Sequence, residues 1–145
     1  MDSILTKLTD PEILELTLFG EARGEPIEGQ IAVGCVIRNR LHNNTTKYKS
    51  YGDVCLEKEQ FSCWNSNDPN YVILLKMGTN LINGANTIDR QCAWVAQGII
   101  NWAIRDNTNG ALYYMTKEIF TDKRPGWATN VKDAQTIGRQ IFFDV

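Results

Sequence analysis

The acidic run GEARGEPIEG places Glu21, Glu25 and Glu28 within one short stretch. A carboxyl group can give a proton, take one or attack carbon, and glycoside cleavage is the reaction class that runs on carboxylates alone. Histidine chemistry is a poor rival, because His42 is the only histidine in the chain and zinc hydrolase motifs use at least two. Cys35 precedes His42 by seven residues on one expected helix, about 10.5 Å along its axis at 1.5 Å per residue. That separation rules the pair out as nucleophile and base. Among the three glutamates Glu21 stands out. It follows Leu18 and Phe19, an apolar flank that can desolvate a carboxyl, and Gly20 and Gly24 beside it would let a polymer approach the backbone. Glu25, Glu28 and Asp53 are the candidates for a second carboxylate.

Aromatic residues fit a ligand of the sugar type. Trp64, Tyr113, Tyr114 and Trp127 fall in irregular or extended runs beside Gln60, Ser62, Asn65 and Asn130, and pockets combine apolar faces with a few placed polar groups. Trp94 and Trp102 lie on a strongly periodic helix and are assigned to the core. Cys35, Cys55, Cys63 and Cys92 form no CxxC pair, so a zinc site is not expected and the residues read as buried thiols. Spacing leaves open a bridge between Cys55 and Cys63 after export. No cofactor or metal is called for.

These residues must be positioned by surrounding elements. Asp10, Pro11 and Glu12 mark the start of a first helix that Gly20 and Gly24 weaken, leaving Glu21 near its C-terminal end. A second helix, from about Pro26 to Leu41, contains IAVGCVI, apolar nearly all round as in a central helix. Gly34 there implies close approach by a neighbour, and Arg38 and Arg40 suit the negative end of the dipole. Residues 43–52 read as a loop, Asp53–Lys58 as a short helix, Asn67–Asn70 as a turn and Tyr71–Met77 as a short helical segment. Ile88, Cys92, Val95, Ile99 and Trp102 recur at steps of four and three, predicting a core helix capped by Thr87 and running to about Arg105. Ala111–Met115 and Ile141–Asp144 look extended. The sum is a mainly helical α+β domain with a small antiparallel sheet, one unit over residues 1–145.

Bulk properties exclude several classes. A net charge of −2 lacks the basic footprint of a nucleic-acid binder. No stretch approaches the roughly 20 apolar residues of a membrane helix. The opening MDSILTKLTDPEILEL has no basic region followed by an apolar run, which predicts synthesis in the cytoplasm without a signal peptide.

The blocks above resemble a known pattern. FGEARGEPIEGQIAVGCVIRNR (residues 19–40) is similar to the signature of the SleB-like cell-wall hydrolases, the spore-cortex lytic enzyme family. QFSCW (60–64), GALYY (110–114), the Trp127-Ala128 pair and IGRQIFF (137–143) follow in that family's order. The resemblance implies a lysozyme-like fold and cleavage of the bond between N-acetylmuramic acid and N-acetylglucosamine in peptidoglycan, with the first glutamate of GEARGE, Glu21, as catalytic acid. It carries over Gln60, Ser62, Trp64, Tyr113, Tyr114 and Trp127 as substrate contacts. Members often carry a histidine within the block that matches GALYY and another within the one that matches IGRQIFF; Leu112–Met115 and Arg139-Gln140 contain none, which places any histidine-dependent step in doubt.

Three functions follow as expectations. The first is lytic transglycosylation, with Glu21 serving as both acid and base. The second is a hydrolytic muramidase using a second carboxylate, and the third a non-catalytic wall-binding or structural homologue. A signal-less lytic domain suits a phage endolysin, a monomer that reaches the wall once the membrane is breached and whose partner is the peptidoglycan glycan strand.

Overall fold

The computed structural model describes residues 4–145. Helix α1 spans Asp10–Ala22, with Glu21 its penultimate residue. Its cap is Thr9, not Asp10. Thr9 and Glu12 form a reciprocal capping box, in which the Thr9 N–H donates to Glu12 Oε1 at 2.8 Å and the Glu12 N–H to Thr9 Oγ1 at 3.4 Å. Thr9 prevails because Glu12, three residues on, completes the box, which Asp10 with Ile13 at that spacing does not. Asp10 is thereby released to accept from the N–H groups of Tyr51 (3.2 Å) and Gly52 (3.1 Å), at the start of helix α3 (Tyr51–Cys55).

Helix α2 covers Ile27–Asn43. Residues 32–38 are all buried, as the unbroken apolar run requires. A Cβ on Gly34 would lie 2.8 Å from Ile99 Cγ1, so the glycine admits helix α5 (Arg90–Ile100) against α2. Arg38 departs from expectation. It is buried, and its Nη1 donates to the Ile99 and Ile104 carbonyls at 3.0 Å each. It thus satisfies carbonyl groups at the end of α5 and in the reversal that follows, instead of its own helix dipole.

Helix α5 is shorter than its periodicity suggested and is capped by Asp89, not Thr87. After Ile100 the chain reverses, and the Ile104 N–H returns to the Gly98 carbonyl at 3.0 Å. A Cβ on Gly98 would meet Ile104 Cδ1 at 2.4 Å, so the missing side chain allows the reversal. Trp102, with φ +63°, therefore leaves the apolar stripe. Trp94 and Trp102 are 59% and 60% exposed, which corrects their assignment to the core. Thr87 instead donates to Glu15 at 2.9 Å, alongside the N–H groups of Ile88 (2.7 Å) and Asp89 (3.2 Å). Glu15, a buried carboxylate on α1, fixes the entry to α5.

The expected turn at Asn67–Asn70 is the start of a helix, α4 (Pro69–Ile82). Asp68 caps it, Pro69 occupies its first position, and it runs beyond Met77. Strand β1 (Tyr113–Thr116) leads directly into helix α6 (Lys117–Asp122); strands β2 (Lys132–Ile137) and β3 (Gln140–Asp144) close the chain as a hairpin. The polar β2 and short α6 carry too little apolar pattern to be read from sequence. The sheet is antiparallel in the order β1-β3-β2, completing an α+β architecture. Its side chains alternate between faces. Tyr114 stacks on Phe142 towards the helical core, while Tyr113, Phe143, Trp127 and Phe120 make a separate aromatic cluster on the other face. No described helix is long and apolar enough to cross a membrane.

Candidate active site

Glu21 is half-buried, and both of its carboxylate oxygens are engaged. The Tyr114 hydroxyl donates to Oε1 at 3.0 Å and the Cys63 backbone N–H to Oε2 at 3.3 Å. Each contact has a local origin. Tyr114 faces inward because strand residues alternate. Cys63 reaches α1 because residue 20 is glycine: a Cβ there would lie 2.7 Å from Cys63 Cβ, 2.8 Å from its sulfur and 3.0 Å from Leu74 Cδ1. Gly20 therefore serves the approach of the QFSCW block, while Gly24 lines the open side.

That open side is a trough of about 430 Å³. One wall is the end of α1 and the turn after it, with Glu21, Ala22, Gly24 and Glu25; the other is the β1–α6 junction and the hairpin, with Thr116, Lys117, Glu118, Arg139 and Gln140. The walls are tied together. Arg139 donates through Nε to Glu25 Oε2 at 2.9 Å and through Nη2 to the Gly24 carbonyl at 3.3 Å. Gly138, at φ +60°, begins the two-residue hairpin loop with the left-handed backbone that glycine supplies and brings Arg139 to Glu25.

The other candidate carboxylates are placed differently. Glu25 is buried and ion-paired to Arg139. Glu28 is exposed in the first turn of α2. Asp53 accepts from the Lys49 N–H at 2.7 Å on α3, whose Gly52 is held by Asp10. Asp10 lies eleven residues before Glu21 on α1, roughly 16 Å along the helix. Glu118, unremarked in the sequence, is the further carboxylate lining the trough.

Of the residues carried over as substrate contacts, Tyr114 touches Glu21 directly. Ser62 is exposed beside Cys63. Trp64 is half-buried, and its indole N–H donates to Thr17 Oγ1 at 2.9 Å; it lines a separate groove with Asn65, Asn67 and Tyr71. Gln60 and Tyr113 line a smaller cavity of about 240 Å³ with Arg40, Asn43 and Tyr48. Trp127 is 56% exposed and packs on Tyr113 with ring centroids 5.1 Å apart, on the sheet face turned from Tyr114. Sequence reasoning missed Arg40. Its Nε donates to the Leu112 carbonyl at 2.7 Å and its Nη1 to Gln60 Oε1 at 3.2 Å, joining the QFSCW block to the strand that bears Tyr114.

The surroundings of Glu21 hold their protons. Burial pushes the Tyr114 phenol well above its usual value, Glu21's charge and hydrogen bond add to this, and the Arg40 guanidinium opposes it. Burial and the charge of Glu21 likewise push the Cys63 thiol up. All four cysteines are buried and free, so Cys55 and Cys63 are not bridged. Burial raises Cys35 to about 11 and Cys55 and Cys92 to about 12, leaving no reactive thiolate near neutral pH.

A carboxylate held by a phenol and a backbone amide, beside an open trough on an α+β scaffold, is an arrangement for acid–base work on an extended ligand. Residues 24–143 match the family model described as Cell Wall Hydrolase, and the chain belongs to that family; Glu21 stands just before the matched span. The spore cortex-lytic enzyme of Bacillus subtilis is 53% identical over 133 residues, covering 92% of this chain and 37% of the relative. That of Oceanobacillus iheyensis is 29% identical over 137 residues, covering 92% and 41%. The chain thus spans about two fifths of the length of these curated relatives. The catalytic domain of the germination-specific lytic transglycosylase SleB from Bacillus anthracis superposes with a TM-score of 0.62 at 26% identity, over 93% of both chains. The catalytic domain of Bacillus cereus SleB gives 0.67 at 24% identity, over 93% of this chain and 89% of the other, a likeness of fold.

Proposed function

We propose that this chain cleaves the glycan backbone of peptidoglycan between N-acetylmuramic acid and N-acetylglucosamine, as a lytic transglycosylase with Glu21 as its single acid and base. The observation that carries the reading is the doubly held Glu21 carboxylate at the rim of the trough. In its protonated form Glu21 gives its proton to the glycosidic oxygen as the bond from the muramic C1 breaks. The resulting carboxylate takes the proton of the muramic C6 hydroxyl, whose oxygen closes on C1 to leave a 1,6-anhydro end. Because the attacking hydroxyl belongs to the same sugar, orientation replaces a positioned water, and such orientation is worth several kcal/mol or more. The Tyr114 hydroxyl can donate to the carboxylate and accept from the acid, so one partner serves both protonation states. The pairing of Glu25 with Arg139 supports a one-carboxylate scheme.

The test is digestion of purified peptidoglycan by the wild type and by Glu21→Gln, with soluble muropeptide ends identified by mass spectrometry. Glu21-dependent release of anhydro ends is expected. Reducing ends would indicate hydrolysis, and unchanged release by the variant would defeat the assignment of Glu21.

A further inference from the structure

The trough wall opposite Glu21 carries two charges that no described residue pairs with. Lys117 and Glu118 are exposed and line the cavity, and among the described residues neither side chain has a hydrogen-bond or ion-pair partner. The ion pairs among those residues are Lys47–Glu57 and Arg139–Glu25. The backbone beneath is fixed, however. The Lys117 N–H donates to the Arg139 carbonyl at 3.1 Å, and Thr116 caps α6 by accepting from the Ile119 N–H at 3.2 Å. Two charges of opposite sign without a described partner thus stand on a hydrogen-bonded ledge facing the candidate acid.

An N-acetylated sugar backbone is uncharged and gives such groups no partner. The substituent on each muramic residue is different. It is a lactyl group that either ends as a carboxylate or continues into a short peptide bearing carboxylates and, where a diamino residue is present, an ammonium. Resting on the function proposed above, we infer that the α6 ledge reads this substituent: Lys117 pairs with the carboxylate nearest the sugar and Glu118 with the ammonium further along the peptide. Both are specificity-determining residues; neither takes part in the proton transfers of Glu21. At such solvent-exposed positions each contact is worth a few-fold in rate, and salt screens it.

The experiment measures kcat/KM on peptide-bearing glycan containing a diamino residue and on the same glycan stripped by an amidase to free lactyl carboxylates. The wild type should favour the peptide-bearing strand about two- to fivefold at low salt and lose that preference near 0.5 M salt. Glu118→Gln should abolish the preference by slowing cleavage of the peptide-bearing strand to the variant's own rate on stripped glycan; Lys117→Gln should slow both substrates, mainly through KM. Equal wild-type rates on the two strands, or a Glu118→Gln enzyme that still discriminates, would overturn the inference. If neither strand is cut in a Glu21-dependent manner, it is the underlying function that fails, so the two failures are distinguishable.

Discussion

The Tyr114 hydroxyl lies 3.0 Å from Glu21 Oε1, joining residues 93 positions apart in the chain. One stands at the end of the first helix and the other on the first strand of a sheet assembled from the C-terminal third. The contact makes the geometry of Glu21 depend on the pairing of β1 with β3, where Tyr114 sits opposite Phe142. A fault in the sheet is therefore transmitted to Glu21 through one side chain.

Tyr114→Phe keeps the ring stacked on Phe142 and removes only the hydroxyl. We expect the fold to survive, with a loss of up to about 2 kcal/mol for the deleted hydrogen bond, and kcat to fall about 10- to 100-fold while KM changes little. Steady-state kinetics beside a thermal melt of the same preparation decide the matter. Wild-type kcat in a well-folded variant would show that Tyr114 does not hold Glu21 in its working position.

Gly20→Ala tests the second hold on Glu21. The new methyl would need space taken by the β-carbon and sulfur of Cys63, so the QFSCW block must shift and the Cys63 N–H must withdraw. Overpacking of this kind costs roughly 1–3 kcal/mol, and activity should fall more steeply than stability. A variant with wild-type kcat would mean that the Cys63 amide contributes nothing to the chemistry.

The helical frame was legible in the sequence because its signals are local. The capping residues and apolar run placed α1 and α2 closely, with Glu21 at the end of α1. What escaped depended on tertiary return. The stripe ending in Trp102 assumes a helix that continues, yet Ile104 folds back onto Gly98 and expels the tryptophan. Arg38 reads as a polar helix end because the carbonyls it serves, those of Ile99 in α5 and of Ile104 in the reversal after it, lie 61 and 66 residues away. The trough was half visible for the same reason. Its α1 wall is one contiguous acidic motif, whereas Lys117, Glu118 and Arg139 become neighbours of Glu21 only once the sheet has formed.

Alkaline pH should unfold this protein through its thiols. Cys35, Cys55 and Cys92 hold their protons to about 11, 12 and 12, and burial raises Cys63 as well, whereas thiols in an unfolded chain ionise near 8.5. A group whose folded value is raised contributes its full stability below the unfolded value and loses it as pH climbs towards the folded one. Stability should thus be flat to about pH 8 and then fall by about 1.4 kcal/mol per thiol for each further unit. Above about pH 10 Tyr114 adds to the slope in the same sense. Urea unfolding at pH 7, 9 and 10 measures this directly; equal midpoints at all three would contradict the burial of the thiols.

Arg38→Leu and Trp94→Ser should invert the naive ranking of a surface charge against a core tryptophan. Arg38 is buried beneath the Trp102 ring, with its guanidinium carbon 4.2 Å from the ring centroid, and donates to the Ile99 carbonyl at the end of α5 and to the Ile104 carbonyl in the reversal after it. Leucine fills much of the space but donates nothing. The Ile99 carbonyl keeps the Trp102 N–H at 3.3 Å, whereas the Ile104 carbonyl loses its partner, and a buried carbonyl left that way costs about 1–3 kcal/mol, so a loss of about that size is expected. Lysine is no substitute, since it lacks the planar fork that lies flat beneath an indole. Trp94 stands on the solvent side of α5, and removing an exposed side chain of this kind shifts stability by about 0.5 kcal/mol or less. Chemical denaturation of the two variants side by side gives the comparison; a Trp94→Ser protein as unstable as Arg38→Leu would place that indole in a packed interface and undo the assignment of α5's outer face to solvent.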